Sequence, residues 1–209
     1  MRNLNIALLS VLLFKISFAV AAPDTSGIYF TKRDFLSNTL RYKTSSSIST
    51  PAFPLFARFV VAREAFPIHI KGGKENIKTF SPGSFYAFNN NGIKYLYLKE
   101  SNEYVAVVND TPPIFMIVRK KIHFSGSIAF ADDIYFYTRN LDEPFKEFTN
   151  KNIITDFRNN KKEMNILLEL REKISKEGYD VEIHKSAFLK CRKLVGTYLD
   201  KIKTMRVEL

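Results

Sequence analysis

From residue 27 to about residue 138 the chain runs in short apolar bursts of Ile, Val, Tyr and Phe, separated by Gly, Pro, Asn and Asp. Such punctuation predicts antiparallel strands. The clearest unit covers residues 84–98, where Phe85-Tyr86-Ala87-Phe88 leads into Asn89-Asn90-Asn91-Gly92 and then Ile93-Lys94-Tyr95-Leu96-Tyr97-Leu98. Asn91-Gly92 supplies the positive φ angles that a tight hairpin turn requires. A turn at Glu100-Ser101-Asn102 then brings residues 104–108 back against the second arm, giving a three-strand meander. Further strands are predicted at 114–118, 122–124, 128–130 and 134–138, and their short connections favour sequential pairing. Upstream, residues 55–62 read as a buried strand, the Ser- and Pro-rich residues 45–54 as a loop, and Gly72-Gly73-Lys74 as a hairpin turn. Thr31 with Asp34 three residues later predicts a capped short helix over residues 32–38, following a strand at 27–30.

Beyond Thr138 the apolar period changes from two to between three and four. Asn150 is a candidate N-cap for a short helix reaching Phe157. Residues 161–177 place Ile166, Leu167, Leu170 and Ile174 on one face before Gly178 stops the helix. The last helix carries Ala187, Phe188, Cys191, Leu194, Val195, Tyr198, Leu199 and Ile202 on one stripe, with Lys190, Arg192, Lys193 and Lys201 off it. A striped helix needs a partner, and the open face of the sheet is the economical one. The fold class is therefore α+β: a mostly antiparallel sheet, a meander that either stays open or closes in part to a barrel, followed by two or three C-terminal helices. Residues 22–209 are expected to form a single domain, β-rich over 27–138 and helical over 150–203.

The first residues of the chain have a different character. One positive residue, Arg2, precedes an apolar run from Ile6 to Phe14 broken by Ser10, and Ala19-Val20-Ala21 then offers small residues at the positions a signal peptidase needs. Residues 1–21 are therefore expected to be a cleaved signal peptide, with cleavage after Ala21 or, alternatively, after Ala19. Lys15 interrupts the stretch and argues against a membrane anchor, which takes about 20 mostly apolar residues. The single cysteine, Cys191, lies far from the processing site, which excludes a bacterial lipoprotein anchor, and one cysteine allows no disulfide within the chain. The domain must then be held by its core, and about 188 residues remain to build one. Export without disulfides suits a bacterial periplasm or surface.

Charge narrows the partners. Of 32 Lys and Arg, Arg2 and Lys15 leave with the leader, so 30 face 21 Asp and Glu, a net +9. Outside the cytoplasm such an excess favours an anionic envelope component or a protein partner; nucleic acid is not expected. Solubility through net charge explains the same excess more simply. The longest uninterrupted basic run is Arg119-Lys120-Lys121, the candidate anion-contacting residues.

No catalytic pattern emerges from the residue types. His69, His123 and His184 fall in separate segments without metal-ligand spacing, and no cofactor is expected. Cys191 sits within an apolar stripe, which predicts a buried protonated thiol. Gly83-Ser84 and Ser125-Gly126-Ser127 do not form a nucleophile elbow, and Gly72-Gly73-Lys74 lacks the earlier glycine and following hydroxyl of a phosphate loop. Asp132-Asp133 would point to opposite faces of a strand and reads as a turn. Tyr95 with Tyr97, and Tyr135 with Tyr137, each share a face and are the candidate ligand-facing aromatics; the simpler expectation is that one pair fills the core and the other packs cross-strand.

The stretch Ser26-Gly27-Ile28-Tyr29-Phe30-Thr31-Lys32-Arg33-Asp34-Phe35, with Leu40-Arg41-Tyr42-Lys43, resembles the opening of a family of uncharacterised exported proteins of Bacteroidetes. The likeness continues in Phe88, Tyr95, Tyr97 and Tyr104, and again in Ile134-Tyr135-Phe136-Tyr137, Leu141 and residues 152–157. The Ser- and Pro-rich stretch 45–54 and the apolar residues 55–62 depart from it. The resemblance implies an envelope location and no activity. The sequence thus predicts an exported envelope or surface protein with a non-catalytic binding or accessory role; the rivals are a periplasmic enzyme whose site assembles only in three dimensions and a structural subunit of an envelope assembly.

Overall fold

The structure is a computed structural model that describes residues 25–44, 48, 67–71, 77–125, 128–179 and 185–207. The predicted leader, the strand at 55–62, most of the loop 45–54, the turn at Gly72-Gly73-Lys74 and His184 lie outside the described residues. The chain order is β1 (Ser26–Tyr29), α1 (Lys32–Leu36), β2 (Arg41–Thr44), β3 (Ile68–Lys71), β4 (Ile77–Phe80), β5 (Ala87–Asn90), β6 (Ile93–Leu98), β7 (Glu103–Asn109), β8 (Phe115–Ser125), β9 (Ile128–Thr138), β10 (Lys146–Glu147), α2 (Asn150–Phe157), α3 (Lys161–Glu177) and α4 (Lys185–Val207). Eight strands form one antiparallel sheet in the order β10-β9-β8-β7-β6-β5-β1-β2, and β3 and β4 form a separate hairpin. The α+β expectation holds. The sheet stays open, with β10 and β2 at its two ends, so the barrel alternative is set aside.

The expected β5–β6 hairpin closes through Asn91 and Gly92 at φ 50° and 85°, with Asn90 opposite Ile93. Thr31 and Asp34 form the capping box of α1: the Asp34 N–H donates to Thr31 Oγ1 at 3.0 Å, and the Thr31 N–H donates to Asp34 Oδ2 at 3.2 Å. Helix α3 begins after Asn160, whose Oδ1 accepts from the Glu163 N–H, and ends at Gly178 in the left-handed region. The cap of α2 is Thr149, one residue before the expected Asn150.

The largest correction concerns β8 and β9. The four short strands predicted between residues 114 and 138 are two strands of 11 residues each, paired without a break from Phe115 opposite Thr138 to Ser125 opposite Ile128. Asp132-Asp133 is therefore not a turn but the middle of a strand. Asp133 stands opposite Lys120 and the two pair at 2.8 Å, their side chains 5% and 10% exposed; Asp132 stands opposite Lys121 and meets His123 Nε2 at 3.0 Å. Opposite charges set directly across a ladder stabilise it, so residues that resemble loop punctuation along the chain become cross-strand pairs once the register is fixed.

Alternation divides the sheet into two apolar faces. On one face Ala106, Val108, Met116, Val118, Tyr135 and Tyr137 pack with the stripe of α4 (Phe188, Cys191, Val195, Leu199 and Ile202) and with Ile153, Phe157, Leu167, Leu170 and Ile174 of α2 and α3. Towards the other end of the same face, Ile28 and Phe88 are covered by Ile48 and by Ile68 and Ile70 of β3. On the opposite face Tyr29, Ala87, Leu96, Val105, Val107 and Ile117 are buried, and Phe35 of α1 and Leu141 and Phe145 of the segment after β9 pack against them.

A charged tie joins the two sides. Lys94 pairs with Asp110, the two side chains 11% and 15% exposed, and its ammonium lies 5.5 Å from the Tyr29 ring and 5.3 Å from the Phe35 ring. Arg192 of α4 approaches Asp110 at 3.9 Å and donates to the Gly92 carbonyl at 3.3 Å, so the same carboxylate anchors helix and hairpin. Removing one partner strands a nearly buried charge, whereas replacing both by apolar groups removes the problem. Asp110→Ala is thus expected to lower the unfolding free energy by about 3 kcal/mol, and the Lys94→Met, Asp110→Leu double variant by clearly less, as measured by urea denaturation.

Candidate functional site

The cover on the two faces is unequal, and this positions the site. Three helices lie on the first face, but among the described residues the opposite face has the five residues of α1 and the segment 139–145. Between them remains a groove of about 1000 Å³. Its floor is the outward alternation of three strands: Leu96 and Leu98 from β6, Ile117 and Arg119 from β8, and Phe136 from β9. One wall is Leu141, Pro144 and Phe145, the other residues 82–86 with Phe30, and the β6–β7 turn at Lys99, Glu100 and Ser101 closes one end.

Local hydrogen bonds fix the walls. Thr138 Oγ1 donates to the Asn140 carbonyl at 2.7 Å, the Asp142 N–H donates to Asn140 Oδ1 at 3.1 Å, and the Asp142 carboxylate pairs with Lys32 at 2.6 Å, tying the segment to α1. In the other wall Gly83 has φ 76°, and a Cβ there would stand 3.2 Å from Cε1 of Tyr97. Both the backbone angle and the ring therefore require glycine.

The groove's chemistry is apolar at the floor and mixed at the rim. The guanidinium of Arg119 lies 5.4 Å from the Phe136 ring and pairs with Glu103. Around it stand Lys99, Glu100, Asp142 and Glu143, so neither sign of charge dominates. Burial, reinforced by the Asp142 carboxylate, pushes the Tyr86 phenol up to about 12, keeping it a neutral hydrogen-bond donor at ordinary pH. Ser101 Oγ in the end wall is buried and has no hydrogen-bond partner among the described residues. The other serine on the groove, Ser84, donates to the Ser81 carbonyl at 2.6 Å and faces no histidine.

The candidates named from sequence fall in different places. Tyr135 and Tyr137, 9% and 0% exposed, fill the core under the helices, so they are not ligand-facing; the simpler expectation for one pair holds. Tyr95 stacks on Phe88 with ring centroids 4.8 Å apart and packs against the helix-side core. Tyr97 lines the groove and donates to Asn102 Oδ1 at 3.0 Å. Arg119, Lys120 and Lys121 do not form one patch, because consecutive strand residues point to opposite faces; Arg119 and Lys120 each hold an acid, and only Arg119 lines the groove. Sequence reasoning did not find Leu98, Phe136, Leu141 or Phe145 as site residues, and their only signal was an apolar side chain on the less covered face.

Among the described residues no cluster of three His, Cys, Asp or Glu residues could hold a metal ion. His69 bonds Thr79 Oγ1 at 2.9 Å. No described helix is long and apolar enough to cross a membrane. Comparison with known proteins finds no matching family model, no matching curated protein and no matching solved structure.

Cys191 is fully buried against Tyr135, and burial pushes its thiol up to about 11. The thiol should be inert to Ellman's reagent at pH 8 in the folded protein and react fully in guanidinium. Because the folded value lies above the ordinary 9.0, the stabilisation is complete below pH 9.0 and is lost as pH rises towards about 11. Stability should therefore begin to fall at about pH 9, before the tyrosines ionise, and a Cys191→Ala variant, though less stable, should lack that early slope in alkaline denaturation.

Proposed function

We propose that the chain is an exported, non-catalytic binding or accessory protein of a bacterial envelope or surface, and that the groove opposite the helices holds its ligand. The observation that carries this reading is the groove itself: a hollow of about 1000 Å³ with an apolar floor and fixed walls. Ligand sites are concave, mostly apolar and supplied with a few polar groups. The ligand that fits has a flat or extended apolar body against Leu98, Ile117 and Phe136 and a neutral hydrogen-bonding end near Ser101 and Tyr86. The mixed rim gives no reason for a net charge on that body. Export is supported by the leader-like residues 1–21 and by the resemblance to exported Bacteroidetes proteins.

A structural-subunit role has one observation in its favour. Beside the edge strand β2, Phe30 and Tyr42 are 38% and 45% exposed and form an aromatic cluster with Phe80. An exposed edge with apolar side chains invites pairing with another chain. Light scattering on the purified protein distinguishes the two readings, since a subunit self-assembles in a way that Tyr42→Lys abolishes and a carrier does not.

The groove is tested with the neutral apolar dye N-phenyl-1-naphthylamine. The mature protein should bind it with enhanced fluorescence, and Leu98→Lys, which places a charge on the floor, should weaken binding at least about tenfold. Leu189→Lys, on the exposed side of α4, should leave it unchanged. Equal binding by all three proteins would remove the groove from the proposal. Export is tested separately by the mass of the protein recovered from its host, which should begin at Ala22, or at Val20 if cleavage follows Ala19.

A further inference from the structure

We propose a second binding site, independent of the groove, in which Arg139 and Arg206 hold a small oxyanion of carboxylate or phosphate type. The site lies where β9 ends and the chain turns towards the helices. Arg139 follows the last residue of β9, Glu163 stands in the first turn of α3, and Arg206 in the last turn of α4. Two hollows open between them: one of about 450 Å³ bounded by Pro112, Pro113, Arg139, Glu143 and Arg206, and one of about 220 Å³ lined by Arg139, Phe157, Asn160, Glu163 and Arg206 among others. Of these residues only Glu143 also lines the groove.

The Arg206 guanidinium is held in place by the protein, and that of Arg139 lies against an aromatic ring. Arg206 Nε and Nη2 donate to the two oxygens of Glu163 at 2.6 and 2.8 Å, and Glu163 is 4% exposed, so the fork is anchored to a buried acid. That contact uses one edge of the fork and leaves the Nη1 edge without a hydrogen bond among the described residues. Arg139 lies over the Phe157 ring at 5.6 Å and forms no ion pair among the described residues. The neighbouring acid, Asp156, is already occupied: both its oxygens accept from Lys146, at 2.7 and 2.9 Å, and one also accepts from the Tyr137 hydroxyl at 2.9 Å.

Pairing decides the ligand's sign. Three cations, Arg139, Lys146 and Arg206, stand with three acids, and Asp156 and Glu163 are held by Lys146 and Arg206. The cation without an ion pair among the described residues is Arg139. Glu143 is the one further acid on the hollow; it is exposed and forms no ion pair among the described residues. It is therefore a competitor for Arg139 and not part of a fixed pair. A planar fork held by a buried acid, with a second stacked on an aromatic ring, matches the geometry of a carboxylate or phosphate oxygen pair, which lysines on flexible stems do not.

The test is titration with inorganic phosphate and, separately, acetate, followed by amide NMR shifts at pH 7.5 and at ionic strength held constant with sodium chloride. At least one anion should give a saturating shift centred on residues 139–143, and the anion that binds more tightly identifies the head group. Arg139→Gln, an exposed position whose loss leaves the Arg206–Glu163 pair intact, should weaken that binding at least about tenfold. Glu143→Gln should strengthen it, and the groove variant Leu98→Lys should leave it unchanged. Absence of saturation with both anions in the wild-type protein, or equal affinity in Arg139→Gln, would overturn the site. Retained circular dichroism in Arg139→Gln shows that a loss is not unfolding.

Discussion

The structure depends on one constraint: a sheet whose central strands are apolar on both faces must be covered on both. Val105, Val107 and Ile117 point one way and Ala106, Val108, Met116 and Val118 the other, and all are buried. An antiparallel sheet with one wet face would tolerate polar residues at alternate positions, and β7 and the first part of β8 do not have them. Three helices satisfy the constraint on one face with an aligned stripe on each. Among the described residues the other face is met by a single turn of helix after β1 and by the segment between β9 and β10, and the groove lies between these two.

How far the sequence could be read follows from whether the information was local. Helix α3 was legible from its period and from Gly178, α4 from a stripe of eight residues, and the β5–β6 hairpin from Asn91-Gly92, because each signal lies within a few residues of what it specifies. The unity of β8 and β9 was hidden because Arg119-Lys120-Lys121 and Asp132-Asp133 resemble the polar punctuation of loops. Their compatibility with a strand comes only from facing one another across the ladder, a property of two segments and not of either. The placement of β1 beside β5, with β2 outside it, is likewise a long-range pairing that no local pattern announces.

The candidate site was less legible than the fold. Pairs such as Tyr95 with Tyr97 could be placed on a shared face from their spacing, but the spacing does not say which face is covered by helices. That depends on the direction in which α4 returns across the sheet. Tyr135 and Tyr137 therefore turned out to be core, while Leu98, Phe136, Leu141 and Phe145, unremarkable as single residues, meet at the groove from three different segments. Arg119 is the one basic candidate that reaches the groove, and it does so with Glu103 beside it.

The same neutralisation governs the charged side chains nearest the core among the described residues. Lys94 with Asp110, Lys120 with Asp133, Lys146 with Asp156 and Arg206 with Glu163 bring opposite charges together wherever a charged group approaches the core. Burial also holds the phenols of Tyr29 and Tyr86 and the thiol of Cys191 in their protonated forms, with values of about 12, 12 and 11. What the described residues of the groove present is shape, apolar area and a few fixed hydrogen-bonding groups. Arg139 departs from the pairing pattern, since it lies over a ring and forms no ion pair among the described residues. A cation left in that condition beside a hollow recognises charge in a way that the groove, with its mixed rim, does not.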